Sequence, residues 1–387
     1  MSTITASPIS GLTDEQRDFQ AAIRDFAERE CGTAEQRERL TDGYSELHSQ
    51  PIYEQLAELG WLGVSIDEEY GGAGGGMVDA CIFLEETMRG LVPMAGYGVS
   101  LIVAGAYERF GSEEQKQEIL SGICRGRVEA IAMSEPEAGS DVGNLSCKAV
   151  ADNGDYVLNG QKTWISAAHL ADHVLVVARS DSSGSKHDGL TMVSVPTDAE
   201  GIEIRGIETL GGKEVNDVFL TDCRIPADRV LGEAGGGWMQ LMAGLNVERL
   251  ILAATALGIA QRAFDDVLDY IKERKQFGRP IGSFQVLKHR IADLATELES
   301  TRLLVYDVAR KVDEDPSRML PREASMAKLK ATELAKRCAL EGMQMMGGYG
   351  YASEYDMERH VRATLVMSIY GGTNEIQREI VSKTYGL

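Results

Sequence analysis

Cysteine is sparse and scattered. The six residues, at 31, 81, 124, 147, 223 and 338, form no C-x-x-C pair. Neither a disulfide framework nor a zinc site follows from them, and a reducing cytoplasm is the expected compartment. No continuous apolar run approaches the roughly 18 residues that span a bilayer, so no membrane association is expected. The opening Met-Ser-Thr-Ile-Thr-Ala-Ser-Pro lacks the basic start and apolar stretch of a signal peptide, and the acidic segment after it is unlike a transit peptide. Positive charge is scarce as well: 39 Lys and Arg stand against 60 Asp and Glu, a formal net charge of −21. That balance argues against nucleic acid as a partner, and an anionic ligand needs a local basic patch. Internal repeats and low-complexity segments are absent.

What is present changes texture twice along the chain. Thr13-Asp-Glu-Gln16 is a capping box ahead of Phe19, Ala22, Ile23, Phe26 and Ala27 at helical spacing. Pro51 opens a helix with Ile52, Leu56 and Leu59, and Ser112-x-x-Gln115 starts another. From about residue 128, Asn153-Gly154 and Asn159-Gly160 signal hairpin turns. Short strand-like segments follow around 173–178, 190–195, 201–205 and 218–220. With no helix between them they read as antiparallel, which excludes a doubly wound parallel sheet. From Trp238 the helical period returns, with helices expected over 238–273, 284–312, 322–346 and 355–384, the last broken at Gly371-Gly372. The expected order is a helical domain (1–127), an antiparallel β domain (128–236) and a four-helix bundle (237–387), an α+β multi-domain chain.

Several stretches carry chemistry or merely imitate it. Gly71-Gly-Ala-Gly-Gly-Gly76 fails the phosphate-loop spacing and reads as a flexible connector; Gly235-Gly-Gly237 reads as a hinge. The run Ala132-Met-Ser-Glu-Pro-Glu-Ala-Gly-Ser-Asp141 is either a capped turn or a loop offering N–H groups and hydroxyls to a polar ligand. Trp164-Ile-Ser166 follows on a strand, as core or as a stacking surface. Lys272-Glu-Arg-Lys-Gln-Phe-Gly-Arg-Pro280 is basic in an acidic chain; by itself it reads first as a solvated helix end, where cations suit the dipole, and second as an anion site. Glu248 is the sharpest anomaly. Its helical neighbours at i−7, i−3, i+3 and i+4 are Leu241, Leu245, Ile251 and Leu252. Desolvation there favours a base working near neutral pH, while a partner on another helix makes it a structural ion pair.

Taken together these segments resemble the acyl-CoA dehydrogenase family over nearly the whole chain. Two signatures carry the resemblance: Met133-Ser-Glu-Pro-Glu-Ala-Gly-Ser-Asp141, and Gln344-Met-Met-Gly-Gly-Tyr-Gly350 continuing to Glu354 and Arg359. Trp164-Ile-Ser, Arg274-Lys-Gln-Phe-Gly278 and Tyr370-Gly-Gly-Thr-Asn-Glu-Ile376 fall in family order. The resemblance implies FAD between the β domain and the bundle of a homotetramer. It also implies an acyl-CoA substrate and an electron-transfer flavoprotein as acceptor. On the flavin side it implies Met133, Ser134, Gly139, Ser140, Trp164, Ile165 and Ser166, with Ser140 also touching the CoA arm. Arg274, Gln276, Phe277, Phe284 and Gln285, with Gln344, Gly347 and Gly348, are implied at the adenosine pyrophosphate of a neighbouring subunit's FAD. Thr373, Asn374 and Glu375 are implied where the last helix starts, its N–H groups toward the FAD. Asn246, Arg249, Tyr370 and Gly372 are implied at the substrate.

Many family members carry the catalytic glutamate at the position of Gly371. Isovaleryl-CoA and long-chain acyl-CoA dehydrogenases instead place it on the first bundle helix, in a Glu-Arg-Leu stretch. Here Asn246-Val-Glu-Arg-Leu250 fits that pattern, so the resemblance implies Glu248 as base and the Gly371 N–H as a donor to the thioester oxygen. Ala363, Asn144 and Gly212-Lys-Glu-Val-Asn-Asp217 depart from family usage. An enoyl-CoA reductase, an acyl-CoA oxidase and a non-catalytic subunit of a heteromeric dehydrogenase are the alternatives on the same scaffold.

Overall fold

The computed structural model describes Ile9 and residues 11–387. Six helices come first: α1 (Asp14–Cys31), α2 (Ala34–Leu40), α3 (Gln50–Glu58), α4 (Met77–Arg89), α5 (Tyr97–Phe110) and α6 (Glu113–Cys124). Seven strands follow: β1 (Glu129–Ala132), β2 (Lys148–Asp152), β3 (Asp155–Ser166), β4 (His173–Arg179), β5 (Leu190–Pro196), β6 (Ile202–Thr209) and β7 (Gly212–Pro226). The rest is α7 (Gly237–Glu273), a small hairpin of β8 (Lys275–Gln276) and β9 (Arg279–Pro280), then α8 (Gln285–Glu314), α9 (Pro321–Met346), α10 (Gly348–Tyr351), α11 (Met357–Val366) and α12 (Asn374–Lys383). The architecture is the expected one of helices, sheet and helices.

Local signals act as read. The Thr13 hydroxyl accepts from the Gln16 N–H and the Gln16 side chain accepts from the Thr13 N–H, both at 3.1 Å, so two N-terminal donors of α1 are satisfied at once. Ser112 and Gln115 do the same for α6, and Pro51 sits in the first turn of α3. Asn153 and Gly154 join β2 to β3 with φ of 52° and 88°, the left-handed pair that a two-residue hairpin requires.

The chain divides into two compact units. One holds residues 1–36, 76–92 and 249–387, the other residues 37–75 and 93–248. The N-terminal helices are therefore shared out: α1 and α4 belong with the bundle helices. Phe19 stacks on Phe83 at 6.3 Å, and Gly90 ends α4 so close to α1 that a Cβ there meets that of Ala27 at 2.3 Å. A buried polar network ties α4 to α7 and α8. Glu85 accepts from Arg302 Nε at 3.0 Å and from the Tyr306 hydroxyl at 2.8 Å, and Arg302 Nη2 donates to Gln261 at 2.7 Å. The neighbouring Glu86 is bound by Gln20 and Arg24 of α1. Each carboxylate here is buried yet bonded, as burial of charge demands.

The second unit contains the sheet, in the order β1-β4-β2-β3-β7-β6 with β5 on β4. The pairings β2–β3, β3–β7, β4–β5 and β6–β7 are antiparallel as expected, but β4 runs parallel to β1 and, at Lys148 and Arg179, to β2. The 40 residues between β1 and β4 (133–172) are ample for the crossover a parallel pair needs. The second Asn-Gly is not a turn. Asn159-Gly160 lies inside β3 at a register shift. Gly160, with φ of 151°, lets the Cys147 backbone approach to where a Cβ would stand 2.8 Å from its Cα.

Three other expectations change. The connector 71–76 is tied down, with Gly72, Ala73, Gly74 and Gly75 N–H groups all donating to the preceding segment 63–67. Gly235-Gly-Gly237 is docked on β5 rather than forming a hinge: the Gly235 N–H donates to Thr191 at 2.8 Å, and a Cβ on Gly237 meets the Leu190 carbonyl at 2.7 Å. Helix α7 is long and apolar enough to cross a membrane by length and composition, and 59% of its 18-residue apolar stretch is buried inside the protein. Leu250, Ile251, Ala253, Ala254 and Leu257 are among its buried residues. All six cysteines are free and buried, and among the described residues no cluster of three or more metal-ligating side chains occurs.

Candidate active site

In the sheet unit, the two stretches singled out at 133–141 and 164–166 are brought together. Lys162 on β3 points inward and is fully buried. Its ammonium donates to Glu135 at 2.7 Å and to the Met133 carbonyl at 3.0 Å. Glu135 also accepts from the Ser146 and Cys147 N–H groups. Burial pushes the Glu135 carboxyl up, but the Lys162 charge and these donors outweigh it and hold its pKa below the ordinary value. The next residue of β3 completes the join: the Thr163 N–H donates to the Ser134 carbonyl at 2.9 Å. Ser134 is thus fixed beside the strand that carries Trp164.

With Lys162 and Ile165 both inside, strict alternation cannot hold. The strand shifts register between them, and Trp164 takes a left-handed φ of 61°. Its ring is 60% exposed. A large ring held out of the core by a bulge on a sparsely populated backbone conformation is a feature of ligand surfaces, not of packing. Ile165 is buried; its carbonyl accepts from Asn216 at 3.0 Å. Ser166 and Met133 are half-buried, and Gly139 and Ser140 are exposed.

Glu248 is 7% exposed and Arg249 8%. The apolar stripe is real: Leu241 and Ile251 are buried, Leu245 and Leu252 half-buried. The side chain of Asn246, expected at the substrate, lies outside the described residues. In the bundle unit, Gly371 and Gly372 form the α11–α12 loop with φ of 60° and 76°. The Gln377 amide donates to both their carbonyls at 2.9 Å, and the buried Lys328 donates to the Gly372 carbonyl at 3.0 Å. In a trans peptide the N–H opposes the C=O, so these two side chains also aim the Gly372 and Thr373 N–H groups. Thr373 caps α12, accepting from the Ile376 N–H at 3.2 Å. Tyr370 is half-buried beside this loop.

Asn374 departs from expectation. Its N–H donates to the Ser368 carbonyl, and its side chain accepts from Lys328 and Thr332 at 3.1 Å each. Its N–H and its side-chain oxygen brace the loop. Glu375 is exposed; its own N–H and the Thr373 hydroxyl lower its pKa, which makes it a poor proton acceptor near neutral pH.

The basic stretch forms the β8–β9 hairpin, whose tip is Phe277 and Gly278 at φ of 52° and 80°. Phe277 is 93% exposed. Arg274, Gln276 and Gln285 are exposed and Phe284 half-buried. Among the described residues none of Arg274, Lys275 and Arg279 pairs with a carboxylate, unusual where acids outnumber bases. In the same unit Gln344, Gly347 and Gly348 are exposed at the end of α9. A Cβ on either glycine meets nothing within 4 Å, leaving room for a ligand to reach the backbone. In the sheet unit the exposed Trp164 ring and the hydroxyl-rich loop beside it offer the stacking and hydrogen-bonding groups a flavin ring takes; in the bundle unit the cations of the hairpin suit a phosphate.

Glu135, Lys162, Lys328 and Gln377 escaped the sequence reading. The only local signal is a lysine in a stripe of small buried residues, Ala324, Ser325, Ala327, Ala331 and Thr332 around Lys328.

Comparison with known proteins agrees with these features. Residues 13–127, 130–223 and 235–386 match the N-terminal, middle and C-terminal domains of acyl-CoA dehydrogenase. The chain is 35% identical over 377 residues to mitochondrial isovaleryl-CoA dehydrogenase of Solanum tuberosum, covering 96% of this chain and 90% of that one. It is 36% identical over 380 residues to the caffeyl-CoA reductase-Etf complex subunit CarC of Acetobacterium woodii, covering 96% and 98%. The crystal structure of acyl-CoA dehydrogenase from Geobacillus kaustophilus superposes with a TM-score of 0.90 at 34% identity, over 98% of this chain and all of that one. The chain belongs to the acyl-CoA dehydrogenase family, FAD-dependent oxidoreductases that dehydrogenate acyl-CoA thioesters.

Proposed function

We propose that the protein oxidises a short-to-medium or branched acyl-CoA to the trans-2-enoyl-CoA with Glu248 as catalytic base. The observation that carries this reading is a carboxylate buried in the apolar stripe of α7, in a chain whose α11–α12 loop has glycine at 371. Glu248 takes the α-proton. The Gly371 N–H donates to the thioester oxygen, where enolate charge develops, and lowers the barrier to proton loss. Glycine keeps that donor and removes the side chain. FAD, when bound, supplies the acceptor of the β-hydride. Ser134, Trp164 and Ser166 hold its ring system; Arg274, Phe277, Gln285 and Gln344, with Gly347 and Gly348, hold its pyrophosphate end from a neighbouring subunit, and Thr373 presents the start of α12. Arg249, Asn246 and Ser140 serve the CoA thioester.

The similarity to isovaleryl-CoA dehydrogenase supports the branched acyl group. Around the enzyme the reading includes a homotetramer, an electron-transfer flavoprotein as acceptor and a cytoplasmic location, the last supported by six free thiols. A second reading, enoyl-CoA reduction, is favoured by the similarity to the caffeyl-CoA reductase subunit. Anaerobic titration of the purified yellow protein with a panel of acyl-CoAs separates them. Bleaching of the flavin by a saturated thioester, lost in Glu248→Gln by about 10²–10⁴ in rate, supports the dehydrogenase. Absence of bleaching together with reoxidation of reduced enzyme by enoyl-CoAs supports the reductase. Bleaching by Glu248→Gln at the parent rate rejects the base assignment.

A further inference from the structure

We infer that Tyr349 is a positioning residue for Arg274, holding the guanidinium over its ring so that the N–H donors stay free of any carboxylate and open to a nucleotide phosphate. The inference rests on the reading that the β8–β9 hairpin takes the pyrophosphate of FAD.

Arg274 stands where α7 ends, and the carbon of its guanidinium lies 5.2 Å from the centre of the Tyr349 ring. Tyr349 does not stand alone. Tyr355 meets it edge to face at 5.7 Å and 73°, and Tyr270 lies tilted at 6.3 Å. Tyr355 and Tyr270 close the triangle at 5.9 Å with planes at 90°. Three rings from α7, α10 and the segment before α11 thus brace one another, and the arginine rests on the outermost. On the far side of the hairpin Arg279 lies 4.3 Å from the centre of the Phe284 ring, and Phe284 is itself met edge to face by Phe277. The hairpin carries two guanidiniums and seats both on rings.

The choice of partner has a chemical consequence. A carboxylate would hold an arginine more tightly, but it would use the N–H donors and cancel the charge. A ring face restrains the cation through its quadrupole and leaves all five N–H donors free in the guanidinium plane. In a chain of net charge −21, this preserves a local positive site and gives it a fixed orientation before any anion arrives. An ordered fork loses less entropy on binding a phosphate than a free one.

The test follows FAD release from the diluted holoenzyme by recovery of flavin fluorescence, and binding of an acyl-CoA to the same samples. Tyr349→Leu is expected to lower FAD affinity about two- to fivefold, the range of an exposed cation–ring contact. Tyr349→Phe keeps the ring face and is expected to match the parent. In an Arg274→Ala background Tyr349→Leu should add nothing. Tyr349 is 43% exposed, and the melting temperature of each variant without FAD checks that the fold is unchanged. Parent-like FAD retention by Tyr349→Leu overturns the inference. So does a full additional loss in the Arg274→Ala background, or a weakening confined to acyl-CoA, which would assign the phosphate to CoA. A parent protein that retains no FAD at all instead rejects the underlying reading.

Discussion

The buried ammonium of Lys328 and the carbonyl of Gly372 meet at 3.0 Å, and the same ammonium holds Asn374 Oδ1 at 3.1 Å. A lysine in the first half of α9 thereby sets the path of a loop 44 residues later. With Gln377 on the other side, it fixes two successive left-handed glycines that have no side chains of their own to anchor them. Lys328→Met keeps the volume and removes the donors. Leaving buried acceptors short of a partner costs about 1–3 kcal/mol of stability. The larger effect is expected on turnover, because a loop displaced by an ångström can cost about 10²-fold in rate. Steady-state kinetics should show a fall in kcat at unchanged FAD content; an unchanged kcat removes the loop from the mechanism.

The acids of the loop end separate cleanly from Glu248. Glu375→Gln is expected to leave flavin reduction near the parent rate, since the side chain is exposed and its pKa lowered. Gly371→Glu introduces a side chain at a φ of 60° and is expected to cost about 1–2 kcal/mol of stability. Adding it to Glu248→Gly restores a carboxylate at the commoner family position, but on strained backbone. Urea unfolding of Gly371→Glu measures that strain; a neutral result means the loop relaxes.

Trp164 offers a spectroscopic readout. Of the three tryptophans, Trp164 is exposed, at 60%, and Trp61 and Trp238 are half-buried. Flavin binding over that ring should quench its fluorescence. Trp164→Phe is expected to abolish most of the FAD-dependent quenching while keeping the cofactor. Quenching that survives in Trp164→Phe assigns it to Trp61 or Trp238 and moves the flavin away from β3.

Glu135 contributes to stability in acid. Its pKa is lower folded than unfolded, so protonation favours the unfolded chain. The stabilisation is complete above the ordinary glutamate value of about 4.3 and is lost as pH falls through the folded pKa. Melting curves should show a steep acid limb below pH of about 4.5 that flattens in Glu135→Gln. A Glu135→Gln protein with the parent's acid limb places the titration elsewhere.

Legibility tracked the distance between interacting residues. Thr13 and Gln16 act on each other within one turn, so their capping box could be read directly. Asn153-Gly154 likewise sets its own turn. Asn159-Gly160 carries the same letters, yet its conformation answers to Cys147, packed across β3, and no local pattern reports that. Glu135 and Lys162 are 27 residues apart, Lys328 and Gly372 are 44 apart, and Glu85 and Arg302 meet across 217. Each looks in sequence like an ordinary charge on a helix or strand. Glu248 was the exception: its apolar neighbours lie on its own helix, so its burial could be foreseen.

The buried thiols turn the two compact units into separately addressable reporters. Cys31, Cys81 and Cys338 lie in the bundle unit, and Cys124, Cys147 and Cys223 in the sheet unit. Burial pushes the thiols of Cys124, Cys147 and Cys223 up to about 11 and that of Cys338 to about 12. Those four thiols thus present almost no thiolate to an alkylating reagent in the native chain, and burial shields all six. Labelling requires opening, and its rate at each cysteine is a clock for the excursion that exposes it. Mass spectrometry of pulse-alkylated protein would time the three clocks of each unit side by side.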